Sequence, residues 1–246
     1  MRPDTRFGAR AVLAGLALAI VTVPFALLLF LVEDKWRPLL RVDDGARDEL
    51  HALAVEHDGF VTALRVLSFI GSMPTGIVVF GGLALWLLWK RLPRLAAFVV
   101  VTMIGSSLIN ALVKLLVHRA RPVLDDPVAH AAGQSFPSGH AQGAVVAAAV
   151  VLLVFLPTLR GRWRAAAIAA AVLYPLAMGF ARVGLGVHYV SDVLAGYALG
   201  AAWVAATAAA FVAWRRERGR PEVTPTRGLE PEALSRGRRS STSARS

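Results

Sequence analysis

Cysteine is absent from this 246-residue chain. That excludes a disulfide framework and a cysteine-ligated metal site, and it leaves the redox compartment without a marker. Charge is scarce as well, at 17% of residues, against 56% hydrophobic. The few charges are mostly basic and give a net +11. No basic, aromatic-studded soluble segment accompanies them, so no nucleic-acid partner is expected, and in so hydrophobic a chain the arginines report topology.

The hydrophobic residues come in runs. Residues 11–32 form the cleanest one, and about 20 apolar residues carry a helix across a bilayer. Arg2, Arg6 and Arg10 precede it as in a secretory signal. The run exceeds the ~7–15 residues of a signal core, and Glu33-Asp34 follows in place of small residues, so a retained helix is expected. Further runs lie at 75–89, 95–117, 141–159, 165–181 and 189–214. The expected fold is an all-α integral membrane protein. It has a six-transmembrane-helix bundle over 11–214, between residues 1–10 and a basic tail, 215–246. From residue 217 the tail has hardly any large apolar side chain and is expected to be disordered, with its arginines on anionic headgroups. Residues 48–57 alternate Leu50, Leu53, Ala54 and Val55 with polar positions, a pattern for a surface helix between spans one and two. Residues 60–70 extend that helix or begin span two. Gly196 and Gly200 are spaced for close helix approach.

Basic residues occupy the amino terminus, Lys90, Arg91 and Arg94, then Arg160, Arg162 and Arg164, and finally Arg215, Arg216, Arg218 and Arg220. The positive-inside rule makes all four segments cytoplasmic, both termini included. The remaining loops then share the extracytoplasmic face of a multi-pass plasma-membrane protein. Trp36, Trp86, Trp89, Trp163 and Trp214 fall near span ends and are expected to anchor there.

Three short segments on that outer face carry phosphate-type chemistry. Lys114 and Arg121 are seven residues apart, about two helical turns, so both can face one anion, and Pro122 is expected to stop that helix. A solvated collar of Lys114, His118, Arg119 and Arg121 is the alternative. Pro137-Ser138-Gly139-His140 precedes span four, where unpaired amides make an anion site; a plain serine cap is the alternative. His188 and Asp192 are neighbours on one helix, and a carboxylate on one imidazole nitrogen raises the basicity of the other. A simple surface pair is the alternative there. Gly184 and Gly186 can break the chain and let Arg182 fold back toward His188. A metal site would need several carboxylates, of which only Asp125 and Asp126 are spare nearby, and three cations would crowd it.

Together these segments resemble the signature of the type 2 phosphatidic acid phosphatase superfamily, the lipid phosphate phosphatases related to vanadium haloperoxidases. The pattern is Lys, six residues, Arg-Pro; then Pro-Ser-Gly-His; then Ser-Arg, five residues, His, three residues, Asp. Every spacing matches, and Ala181 stands where the pattern has serine. The resemblance implies a metal-independent hydrolase, without cofactor, that acts on a lipid phosphate or pyrophosphate. His188 would be the nucleophile that forms a phosphohistidine, Asp192 its orienting acid, and His140 the proton donor. Lys114, Arg121, Ser138, Gly139 and Arg182 would bind phosphate. Analogy with bacterial carrier-lipid enzymes favours undecaprenyl pyrophosphate, with phosphatidylglycerophosphate and phosphatidic acid as alternatives. A non-catalytic lipid-phosphate binder or transporter is the rival, but capture needs no nucleophile with a proton relay.

Overall fold

The computed structural model describes residues 19, 22–218 and 228–230. Those residues form eight helices and no strand. They are α1 (Thr22–Glu33), α2 (Arg37–Glu56), α3 (Asp58–Ile70), α4 (Met73–Trp89), α5 (Pro93–Leu116), α6 (Gly139–Phe155), α7 (Gly161–Gly184) and α8 (Val190–Glu217). Pro38, Pro74 and Pro93 sit in first turns, where a missing amide N–H costs no hydrogen bond. Ser138 caps α6 by accepting from the Ala141 amide.

Four helices are long and apolar enough to cross a bilayer: α5, α6 with its 3-10 extension to Thr158, α7, and α8 to Arg215. They mark a multi-pass membrane protein. Helices α3 and α4 together make a fifth candidate, bent by 42°. Residues 60–70 therefore neither extend α2 nor run straight into α4. An extended His57 separates α3 from α2, and Gly71-Ser72 separate it from α4. The expected surface helix at 48–57 is the second half of α2, a 20-residue helix. Of the expected first span only the end is described, as α1, since residues 11–18, 20 and 21 lie outside the described set. Large apolar side chains such as Val78, Leu115 and Leu116 are exposed on the helix surfaces, which suits contact with hydrocarbon.

Helix α6 is central and packs against α5, α7 and α8. A methyl on Gly196 would lie 2.6 Å from the Ser138 carbonyl oxygen, and one on Gly200 would lie 2.9 Å from that of Gln142. The two glycines thus seat α8 directly on the backbone of α6, as their spacing implied. A buried amide couples α5 to α6 at the same level. Asn110 donates to Gln142 Oε1 at 2.7 Å, and Gln142 Nε2 donates to the Ser106 carbonyl and hydroxyl at 2.9 and 2.8 Å. In hydrocarbon such groups must find partners within the protein.

The largest apolar cluster, with Leu87, Leu95, Val99, Val150 and Phe211, fills the end of the bundle where α4 turns into α5. Leu229 inserts into it, and Glu230 pairs with Arg215 at 3.4 Å. Of the expected tail, 215–217 continue α8 and 228–230 return to the bundle, while 219–227 and 231–246 lie outside the described residues. The opposite end, where α5 and α7 finish and α6 and α8 begin, is polar. Gly196→Leu should force α8 off α6 and destabilise the detergent-solubilised protein by at least about 1–3 kcal/mol. Gly143→Ala, with no heavy atom within 4 Å of the added methyl, should be tolerated. Thermal unfolding of the two variants compares them, and equal stability would show that the glycine contact is not tight.

Candidate active site

The turn between α7 and α8 places His188. Helix α7 ends at Gly184, and Gly186, at φ +66°, reverses the chain into α8. His188 is 1% exposed. Its Nδ1 lies 3.4 Å from Asp192 Oδ2 and its Nε2 lies 3.2 Å from Arg121 Nη1. Arginine can only donate, so Nε2 is the acceptor and the ring proton sits on Nδ1, facing the carboxylate. That tautomer keeps a lone pair on Nε2. Burial lowers the His188 pKa to about 4, more than Asp192 raises it, so the ring is neutral at physiological pH.

Asp192, in the first turn of α8, is fully buried. Its Oδ2 accepts from the Ser135 hydroxyl at 2.5 Å and the Tyr189 amide at 2.9 Å, besides facing His188. Its Oδ1 accepts from Arg119 at 2.6 Å. The Asp192 carbonyl accepts from the Ser138 amide at 2.9 Å, which locks the start of α6 to the start of α8.

Arg121 donates to the carbonyls of Val187 at 2.6 Å, Gly133 at 3.0 Å and Ala132 at 3.0 Å. Lys114 donates to the Gln134 carbonyl at 2.7 Å. Burial lowers the Arg121 pKa, a sign that its charge lacks a full counter-ion. Arg182 is buried, with its guanidinium on the Ser68 hydroxyl of α3. His140 opens α6 beside the Ser68 backbone and feels the charges of Arg182 and Arg121 and the His188 ring. A methyl on Gly139 would come within 3.2 Å of Asn110 Oδ1, so the glycine lets α5 approach the α6 amides closely. The hydroxyl of Ser138 is engaged as the α6 cap, and as an acceptor there it retains its own proton for donation.

The structure brings His188, Asp192 and Arg121 into direct contact, with Lys114, Arg182, His140 and the Ser138-Gly139 turn around them. One local expectation is corrected. Helix α5 ends at Leu116 and not at Pro122, with Val117 already extended, so Lys114 and Arg121 do not share a helical face. Arg121 arrives from an irregular segment whose backbone is used elsewhere, the Arg119 carbonyl accepting from the Ser135 amide at 2.9 Å. Tertiary pairing overrides helix propensity there. Arg182 reaches Ser68 and does not touch His188. Sequence reasoning missed Asp43 and Ser135 and treated Arg119 as collar. Nothing in the pattern of α2 distinguishes Asp43 from its neighbour Asp44. Among the described residues no three His, Asp or Glu side chains cluster as metal ligands; Asp125 and Asp126 are exposed.

The site thus joins a buried His–Asp pair to several cations at one end of a helical membrane bundle. Residues 95–216 fit the family model described as the PAP2 superfamily, and the chain belongs to that superfamily. It is 34% identical to phosphatidylglycerophosphatase B of Bacillus subtilis (strain 168) over 145 residues, 57% of this chain and 66% of the relative. It is 35% identical to the lipid A 1-phosphatase of Rhizobium johnstonii over 139 residues, 52% of this chain and 50% of the relative. The chain thus spans about half to two thirds of the length of these curated relatives. The crystal structure of a transmembrane PAP2 type phosphatidylglycerolphosphate phosphatase from Bacillus subtilis superposes with a TM-score of 0.69 at 20% identity. It covers 77% of this chain and 93% of that one, a likeness that shows the fold.

The depressed His188 pKa makes a stability prediction. An unfolded chain binds a proton at His188 near pH 6.5 while the folded one refuses it down to about 4. Stability should therefore fall as pH drops through that window, by up to about 3 kcal/mol from this group. Unfolding midpoints between pH 7 and 4 should fall less steeply for His188→Gln than for wild type. Parallel curves would mean that His188 is not held neutral.

Proposed function

We propose that this protein is a metal-independent lipid phosphate phosphatase that works through a phosphohistidine. The observation that carries the proposal is the placement of His188, with its proton on the Asp192 side and its Nε2 lone pair directed at Arg121. Nε2 attacks phosphorus in line, and the bond from phosphorus to the ester or anhydride oxygen breaks as the N–P bond forms. His140 gives a proton to the departing lipid oxygen. The same ring then takes a proton from water, which attacks the phosphohistidine, releases inorganic phosphate and regenerates His188.

Charge supports this reading. Four cations, Lys114, Arg119, Arg121 and Arg182, stand against two buried carboxylates, Asp43 and Asp192, of which Arg119 pairs with both; the excess of two positive charges suits a phosphate dianion. The Ala132, Gly133 and Gln134 carbonyls that now hold Arg121 and Lys114 would give way to phosphate oxygens. With the Ser138-Gly139 turn, these cations stabilise the charge that spreads over the equatorial oxygens in the transition state, the part magnesium takes in kinases.

The bundle has six spans, with α1 completing the first and α3–α4 forming the second, and α2 lies at the membrane surface. Both termini are cytoplasmic. Arg94 stacks on Trp214 at 5.2 Å, which supports putting the start of α5 and the end of α8 at one basic, cytoplasmic end, and on this reading the site opens at the other. A lipid headgroup enters there while its tails stay in hydrocarbon. Undecaprenyl pyrophosphate is the favoured substrate by analogy with carrier-lipid recycling. The match to a relative named phosphatidylglycerophosphatase B raises phosphatidylglycerophosphate to an equal contender, with phosphatidic acid behind them.

Detergent-purified protein in excess EDTA should release phosphate from at least one of these three lipids. His188→Ala should lower kcat by about 10³-fold or more while the protein stays monodisperse. Loss of release in EDTA would contradict metal independence, near-normal turnover by His188→Ala would remove the nucleophile, and no release from any lipid would leave capture or transport.

A further inference from the structure

Buried Asp43 and half-buried Arg119 enter the charge balance above but make or break no bond in it. Asp43, on α2, is fully buried. Its Oδ1 accepts from the Ser191 amide at 2.8 Å, and its Oδ2 accepts from the Ser191 hydroxyl at 2.5 Å and from Arg119 Nη2 at 2.7 Å. Arg119 uses its other terminal nitrogen, Nη1, to donate to Asp192 Oδ1 and to Ser191 Oγ, both at 2.6 Å. Its guanidinium also lies 4.3 Å over the Tyr189 ring. The Arg119 fork is thus divided between two carboxylates and stacked on an aromatic, which distinguishes it from Lys114 and Arg121, whose partners are backbone carbonyls and, for Arg121, His188 Nε2.

From this geometry we infer that Asp43 and Arg119 form a positioning pair that acts through Asp192. The inference rests on the role of Asp192 proposed above. A carboxylate rotates readily about its terminal torsion, so either oxygen could face the imidazole. The Arg119 bond to Oδ1 fixes that torsion and leaves Oδ2 for His188, Ser135 and the Tyr189 amide. Arg119 also neutralises Asp192 from the side away from His188. Without it, the carboxylate would be free to turn, and the His188 ring would lose its fixed partner. Asp43 in turn holds Arg119 in place, and because it belongs to α2 the orientation of the nucleophile depends on how that helix seats against the start of α8.

The test is a double-mutant cycle on kcat and KM, using whichever of the three lipids wild type turns over fastest. Arg119→Gln should lower kcat up to about 100-fold, as an ångström-scale misplacement does, with KM changed less than about threefold. Combined with Asp192→Asn it should be no slower than Asp192→Asn alone, because its effect passes through that carboxylate. Arg119→Lys, which keeps the charge and loses the fork, should recover part of kcat. Where Arg119→Gln does not yield folded protein, Asp43→Asn, which keeps the shape but removes the charge that holds Arg119, takes its place in the cycle with a smaller loss of kcat and the same non-additivity with Asp192→Asn. Additive losses in the double variant, or a rise in KM at unchanged kcat, would overturn the positioning role and make Arg119 a scaffold or a direct phosphate ligand. If Asp192→Asn alone runs at the wild-type rate, the orienting role of Asp192 fails and this inference with it. A slow Asp192→Asn beside a fully active Arg119→Gln removes this inference alone.

Discussion

A carboxylate at the end of a membrane helix, shut off from water, must be met by donors on every side, because an uncompensated charge there costs several kcal/mol. Asp192 is that group, and the architecture around it can be read as the set of donors it demands. One oxygen takes Arg119, and the other takes Ser135, the Tyr189 amide and the His188 ring. The donors come from two connections: Arg119 and Ser135 from the segment between α5 and α6, and Tyr189 and His188 from the turn between α7 and α8. Satisfying one carboxylate therefore fixes two connections at once, and α2 joins them through Asp43.

Helix packing serves the same end. Glycines at 196 and 200 let α8 touch the α6 backbone, and only at that separation does the Ser138 amide reach the Asp192 carbonyl. The Asn110–Gln142–Ser106 network holds α5 at the same height. Lys114 lies one turn beyond Asn110, whose Oδ1 closely approaches Gly139. The apolar clusters stabilise the bundle, while these few polar contacts set its register.

Much of this was legible in the sequence. The hydrophobic runs located α4 to α8 within a few residues, because about 20 apolar residues in a row have few alternatives to a membrane helix. The spacing of four between His188 and Asp192 led to contact, although His188 sits in the turn before α8 and not on the helix, and the glycine pair in α8 translated directly. The segment from Val117 to Ser135 did not translate. Residues 117–121 look able to continue α5, yet the demands of Asp43 and Asp192 on Arg119 pull them out of the helix, and no local pattern signals a partner 73 residues away. Asp43 was illegible for the same reason: an acid on an amphipathic helix looks solvated until the tertiary structure buries it.

The most direct measurement is a search for the covalent intermediate. Protein carrying His140→Ala, which should slow breakdown of the intermediate more than its formation, is mixed with lipid phosphate labelled at the terminal phosphorus, quenched in alkali and mapped. The account predicts protein-bound phosphate that survives base, is lost in acid and resides on His188. Label on any other side chain, or turnover by wild type with no bound label at the shortest quench times, would contradict it.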